Sequence, residues 1–225
     1  MEVAKEMVNN HYDSNYFEWQ KRIGEFGGMA NLFKFDKYIH SNMDVLDFGC
    51  GGGFLLKNLK TDGKKYGVEI NESARKTAIE NIDFVYEKIE DVPNSCVDIV
   101  ISNHVLEHVD SPIYYLNEIK RILRPNGRLV ICVPNECNKN VNINDIDMHL
   151  FTWSPQNLFN LFKRCGYKNI ESCRLQHCWP PIGYIQLEKI FGWKIFHCIC
   201  RVYSIISKNY QTICTGIKVT TEESN

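Results

Sequence analysis

Val45-Leu46-Asp47-Phe48-Gly49-Cys50-Gly51-Gly52-Gly53 is the most informative run in this chain. An apolar strand signal, MDVLDFG (43–49), runs straight into glycines, and GFLLKNLK (53–60) follows with helical character. Glycines at a strand-to-helix turn let backbone approach a ligand and leave amide N–H groups pointing at it. Asp47 stands two residues before the first glycine of the turn. Glu69 lies 22 residues after Asp47, near the end of the next strand signal, KYGVEI (65–70). A carboxylate at that place can take both hydroxyls of a ribose.

Two cofactor classes share that outline. A dinucleotide fingerprint reads G-x-G-x-x-G with an acid about 20 residues on. Here the sixth position is Phe54, and the Asp47 carboxylate beside the loop would repel a pyrophosphate. S-adenosylmethionine has no phosphate and carries an ammonium and a sulfonium, which Asp47 suits. Its carboxylate suits the helix N-terminus. The sign of the charges therefore favours S-adenosylmethionine over a nicotinamide dinucleotide.

Outward from the loop, strand and helix patterns alternate, which predicts an α/β fold with a mostly parallel sheet. Residues 1–42 are aromatic-rich and read as helical. NESARKTAIEN (71–81) opens on an Asn cap and predicts a helix. DFVYEK (83–88) and VDIVIS (97–102) read as strands. Ser111-Pro112 starts a helix with Ile113, Leu116, Ile119 and Leu123 on one face, stopped by Pro125-Asn126-Gly127. GRLVICVP (127–134) is apolar throughout, as strands buried on both faces are. NECNKNVNINDIDMHLFT (135–152) predicts a long loop of the kind that covers active sites. Ser154-Pro155 begins another helix, ended by Gly166, and YKNIESCRLQ (167–176) alternates as a strand. One or two apolar-faced helices are expected over 184–207, then a strand over 210–219 and a polar tail, 220–225. The boundaries predict a single domain: an N-terminal cap (1–42), a core (43–176), a helical insertion (177–209) and the last strand.

Composition narrows the function classes. The 225 residues balance at a net charge of −1, which argues against nucleic acid as a partner. No stretch reaches the ~20 apolar residues of a membrane span. MEVAKEMVNNHY lacks the apolar core of an export signal. Several of the ten cysteines sit in apolar runs, as Cys132 and Cys165 do, and none forms a C-x-x-C pair. They predict reduced thiols, a cytoplasmic location and no metal centre.

These motifs together resemble the class I S-adenosylmethionine-dependent methyltransferases, in the small-molecule branch that includes ubiquinone-pathway and sugar O-methyltransferases. The resemblance spans roughly residues 40–176 and rests on VLDFGCGGG (45–53), YGVEIN (66–71), EDVP (90–93), VDIVISNHVLEHV (97–109) and LRPNGRLVICVP (123–134). It implies a Rossmann-like seven-stranded sheet with the last strand antiparallel. It places Asp47, Gly49, Cys50 and Gly51 against the methionine part of the cofactor, Glu69 at the ribose and Ile70 at adenine. Lys88 and Ile89 would flank the adenine edge. Many relatives have an acid where Lys88 stands; lysine cannot accept from the adenine amino group, so the Ile89 backbone or Glu90 would substitute. Ser102, Asn103 and His104 would follow the fourth strand beneath the reactive sulfur, and Tyr12 and Tyr16 are candidates for closing over the cofactor.

Methyl transfer is an in-line displacement, so the protein mainly aligns the nucleophile and excludes water. A base matters most for an aliphatic hydroxyl. His149 is the candidate base, with Asp145 or Asp147 to orient it, and His104 is a second candidate, as a substrate contact. His108 reads as structural, and Trp153 as lining or packing. The acceptor is expected to be a small molecule or sugar, methylated at oxygen. The basic amphipathic stretch 184–207 suits packing on the domain, a homodimer face or a peripheral membrane contact. Two other readings are a nicotinamide-dependent oxidoreductase and a non-catalytic cofactor-binding subunit.

Overall fold

A computed structural model describes residues 24–219, apart from 137–142, 144 and 146. Tyr12 and Tyr16 lie outside the described residues. Seven strands form one sheet: β1 (Val45–Phe48), β2 (Lys65–Val68), β3 (Phe84–Tyr86), β4 (Val97–Asn103), β5 (Leu123–Asn135), β6 (Lys168–Leu175) and β7 (Tyr210–Ile217). Their order is β3-β2-β1-β4-β5-β7-β6. The described helices are α1 (residues 24–31), α2 (Phe54–Asn58), α3 (Glu72–Ala78), α4 (Pro112–Ile122), α5 (Pro155–Arg164) and α6 (Tyr184–Ser207). The chain divides into two compact units, one of residues 1–102 and 118–127, the other of residues 103–117 and 128–225.

In the first unit β1 pairs in parallel with β2 and with β4, Val45 standing opposite Lys65 and Ile99. Val45, Leu46, Phe48, Ile99 and Ile101 are buried, as a parallel strand covered on both faces requires. Asn71 caps α3 as expected, its side chain accepting from the Ala74 amide. At the opposite strand ends Arg124 binds Asp44 and Asp98, each at 2.7 Å.

Phe54 explains its own departure from the dinucleotide pattern. A Cβ added to Gly24 or Gly52 would come within 2.5 Å of the Phe54 ring, and one on Gly28 within 2.6 Å of its carbonyl oxygen. Three glycines thus make way for one phenyl ring and its backbone. The aromatic side chain pins α1 to the start of α2, a position where a third glycine would leave nothing to pack against.

In the second unit β7 runs antiparallel to both β5 and β6, as expected for the last strand. Ile131 stands opposite Cys214, and Cys173 opposite Ile213. Leu158 and Phe162 of α5 are fully buried, and Ser154 caps that helix by accepting from the Asn157 amide. Gly216 lies so close to Phe162 and Tyr167 that a Cβ there would meet them at 2.9 and 3.0 Å. The Tyr167 hydroxyl donates to the Leu116 carbonyl at 2.9 Å.

The start of β5 differs from the sequence reading. β5 begins at Leu123, not 127, although Asn126 keeps the turn-like positive φ of 62°. Gly192 breaks α6 with φ 71° and ψ 170°, so 184–207 is two helical segments joined at a kink, within the one or two helices expected.

Candidate active site

Gly49, Gly51 and Gly53 have φ of 80°, 51° and 77°. Only glycine takes such values without strain, which is why β1 can turn directly into α2. The amide donors of the turn are not left free, contrary to the sequence expectation. Gly49 and Cys50 donate to the Val68 carbonyl at 2.8 and 3.1 Å, and Gly51 donates to Glu69 Oε2 at 2.9 Å. A phosphate needs open N–H groups, and three of them here are already engaged. What the loop does offer is space: a Cβ on Gly51 would meet nothing within 4 Å. Cys50 is buried, its thiol against Gly67, so it contributes backbone and packing.

Asp47 is 3% exposed on β1, and its Oδ1 is enclosed with no hydrogen-bond partner. Burial, reinforced by the neighbouring Glu69 carboxylate, pushes the Asp47 carboxyl well above the usual carboxylate range. Burial raises Glu69 too, even though the Asn71 and Gly51 amides donate to it. Two desolvated acids beside an open glycine face form a site for a cation. A methyl donor with an ammonium and a sulfonium fits that donor set; a diphosphate does not.

Other residues of the predicted cofactor set fall as follows. Ile70 follows Glu69 and is 55% exposed, available as a flat apolar contact. Lys88 is exposed, while the Ile89 side chain is buried. The Ile89 carbonyl already accepts from Arg121 Nη2 and from the Val92 amide, at 2.9 and 3.2 Å. That oxygen is therefore not free for an adenine amino group. Ser102 is buried and donates to the Phe48 carbonyl at 2.9 Å, which ties β4 to β1. Asn103, partly buried, ends β4.

The second unit holds the candidate site histidines, His104, His108 and His149. His104 has a φ of 59°, and its amide donates to the Cys132 carbonyl. Its Nε2 lies 2.9 Å from Gln211 Oε1, and its Nδ1 3.6 Å from Glu107 Oε1. Gln211 also accepts from the Cys132 thiol and donates to the His177 carbonyl, so one side chain on β7 fixes three neighbours. The amides of Leu150 and Phe151 both donate to the Glu107 carbonyl, at 2.8 and 3.2 Å. That pairing brings His149 beside the 107–108 segment.

His149 Nδ1 lies 2.7 Å from Glu136 Oε2, and Nε2 lies 3.9 Å from the fully buried Glu107 carboxylate. The orienting acid is thus Glu136 rather than Asp145 or Asp147; Asp145 instead accepts from the Met148 amide. His108 packs edge-on against the His149 ring at 4.8 Å. Glu107, His108 and His149 each present a ligand atom, all within 4.8 Å of one another. One carboxylate and two imidazoles could hold a divalent metal, a group the sequence reading did not anticipate. Trp153 is 8% exposed and packs on Phe151.

The methyltransferase domain family matches residues 20–172. The chain belongs to that family, whose methyl donor is S-adenosylmethionine. Its ubiquinone biosynthesis O-methyltransferase relatives include one from Rickettsia canadensis, 29% identical over 166 residues, covering 64% of this chain and 70% of the relative. Another, from Neisseria meningitidis, is 29% identical over 140 residues, covering 53% and 58%. Among solved structures, an S-adenosylmethionine-dependent methyltransferase from Archaeoglobus fulgidus aligns with a TM-score of 0.64 at 19% identity, over 92% of this chain and all of that one. A phosphoethanolamine N-methyltransferase from Haemonchus contortus aligns with a TM-score of 0.61 at 15% identity, over 86% of this chain and 52% of its own. At these identities the structural matches establish the fold.

Proposed function

We propose that this chain methylates a small-molecule acceptor at oxygen, with S-adenosylmethionine as donor and His149 as the base. The observation that carries the reading is the enclosed, unpartnered Asp47 Oδ1 beside an open glycine face whose nearby amides are engaged. The O-methyltransferase names of the relatives support the choice of oxygen. In open α/β sheets ligands bind beyond the carboxyl ends of the parallel strands, and Gly49 and Glu69 both follow such ends.

Bound S-adenosylmethionine supplies a methyl carbon already activated by its sulfonium. Asp47 would hold the cationic methionine group, and Glu69 would exchange its Gly51 and Asn71 amides for, or share them with, the ribose hydroxyls. Glu136 accepts from His149 Nδ1–H, which leaves the Nε2 lone pair to take the acceptor's hydroxyl proton. His104, fixed by Gln211, would orient the acceptor. Free thiols throughout the described residues support a reducing, cytoplasmic setting.

The test is turnover to S-adenosylhomocysteine with phenolic, catecholic and sugar acceptors, in the wild type and in His149→Ala. Methylation at oxygen that falls in the variant while donor affinity holds supports the reading. Transfer to nitrogen alone, or full activity of the variant, would refute it. A second reading is favoured by the Glu107, His108 and His149 cluster: a divalent metal there would lower the acceptor's pKa in place of a base. Loss of activity on chelation, restored by adding metal back, would decide for it. Glu136 would then orient the metal-bound imidazole.

A further inference from the structure

The C-terminal half of α6 exposes an apolar face that nothing in the catalytic reading uses. Phe196, Cys200 and Ser204 recur every fourth residue and are buried, so this line faces the protein. Ile195, Val202, Ile205 and Ile206 point away from it and are 48–74% exposed. Just before the kink, Ile190 and Phe191 are also exposed. Alongside, Lys194 and Arg201 stand seven residues apart on one side of the helix, and Lys208 caps its end; all three are exposed. From residue 189 to 221 the chain has five basic residues and no acid.

An apolar outward face with a one-sided cationic border is the pattern of a helix lying in the plane of a bilayer interface. No described helix is long and apolar enough to cross a membrane, so α6 would lie on the surface. The sign of the charge selects among occupants. A second copy meeting this face would bring two unscreened basic borders together, which costs free energy. An anionic headgroup layer meets the same border favourably. We infer that α6 seats the protein on anionic bilayers, with Val202 and Ile206 entering the acyl boundary and Lys194 and Arg201 at the headgroups.

The experiment is co-sedimentation of the full chain with phosphatidylcholine vesicles, with and without about 30% phosphatidylglycerol. Binding is expected to the anionic vesicles only, and to weaken as salt rises. Lys194→Gln with Arg201→Gln should lower the partition coefficient about thirtyfold. Val202→Asn with Ile206→Asn should lower it by more than about tenfold. Calorimetry with S-adenosylmethionine monitors folding and separates this question from the enzymatic one, since both double variants should bind the donor as the wild type does. No sedimentation of the wild type, or equal binding to neutral vesicles, would overturn the inference. So would a dimer, seen by light scattering without vesicles, that Val202→Asn with Ile206→Asn dissociates; the face would then belong to a second copy.

Discussion

The glycine turn of the first unit and the histidine cluster of the second handle buried charge in opposite ways. At the turn, Asp47 is desolvated, has no partner on Oδ1, and has another acid for a neighbour. Around His149, Glu136 stands 2.7 Å from Nδ1 and the buried Glu107 carboxylate 3.9 Å from Nε2, so the imidazole already has acids beside it. The first arrangement leaves a charge deficit for a ligand to fill. The second holds the imidazole proposed as proton acceptor, with its orientation set by Glu136. On the proposed reading, binding and chemistry fall to side chains that can be perturbed separately.

The largest effect should come from Asp47→Ala. Removing one partner of a desolvated charge pair costs several kcal/mol, so donor affinity should fall about a thousandfold by calorimetry. His149→Ala should leave that affinity unchanged and lower kcat about a hundredfold in an S-adenosylhomocysteine release assay. Loss of affinity in the second variant would break the division of labour. Gly28→Ala should cost about 2 kcal/mol in a denaturant melt, since its Cβ would press on the Phe54 carbonyl. Glu136→Gln should slow turnover by about tenfold, because an amide no longer fixes which imidazole nitrogen carries the proton. Tyr167→Phe should be the mildest, about 1 kcal/mol of stability from one buried hydrogen bond and no change in donor binding.

Much of the first unit was legible because its signals are local. The glycines announce positive φ, the Asn71 cap announces α3, and Asp47 and Glu69 announce the sign of the ligand. The second unit was legible in its elements and less so in its site. Glu136 and His149 are 13 residues apart with a long loop between them, and no periodicity links them. Asp145 and Asp147 were nearer in sequence, but nearness along a loop does not set direction. Gln211 sits on the last strand and reaches His104 only through the antiparallel pairing of β7 with β5, a long-range event with no local mark. Phe54 stood out only as a mismatch to the dinucleotide pattern; the three glycines that accommodate it are spread from 24 to 52.

Asp47 itself supplies the most direct test. Its folded-state pKa is raised by burial, so the ligand-free protein gains from its protonation. Stability from this group is fully present below the carboxyl's ordinary pKa and is lost as pH rises through the raised value. Asp47→Asn should therefore melt higher than the wild type at neutral pH. A cationic donor needs the ionised form, so its affinity should fall as pH drops toward the raised value. The decisive measurement is calorimetric titration of S-adenosylmethionine across that pH range, with wild type and Asp47→Asn side by side. Affinity that weakens with acid in the wild type, and is weak and flat in the variant, is the predicted result. Equal affinity in both proteins, or tighter binding of a nicotinamide dinucleotide than of the methyl donor, would contradict it.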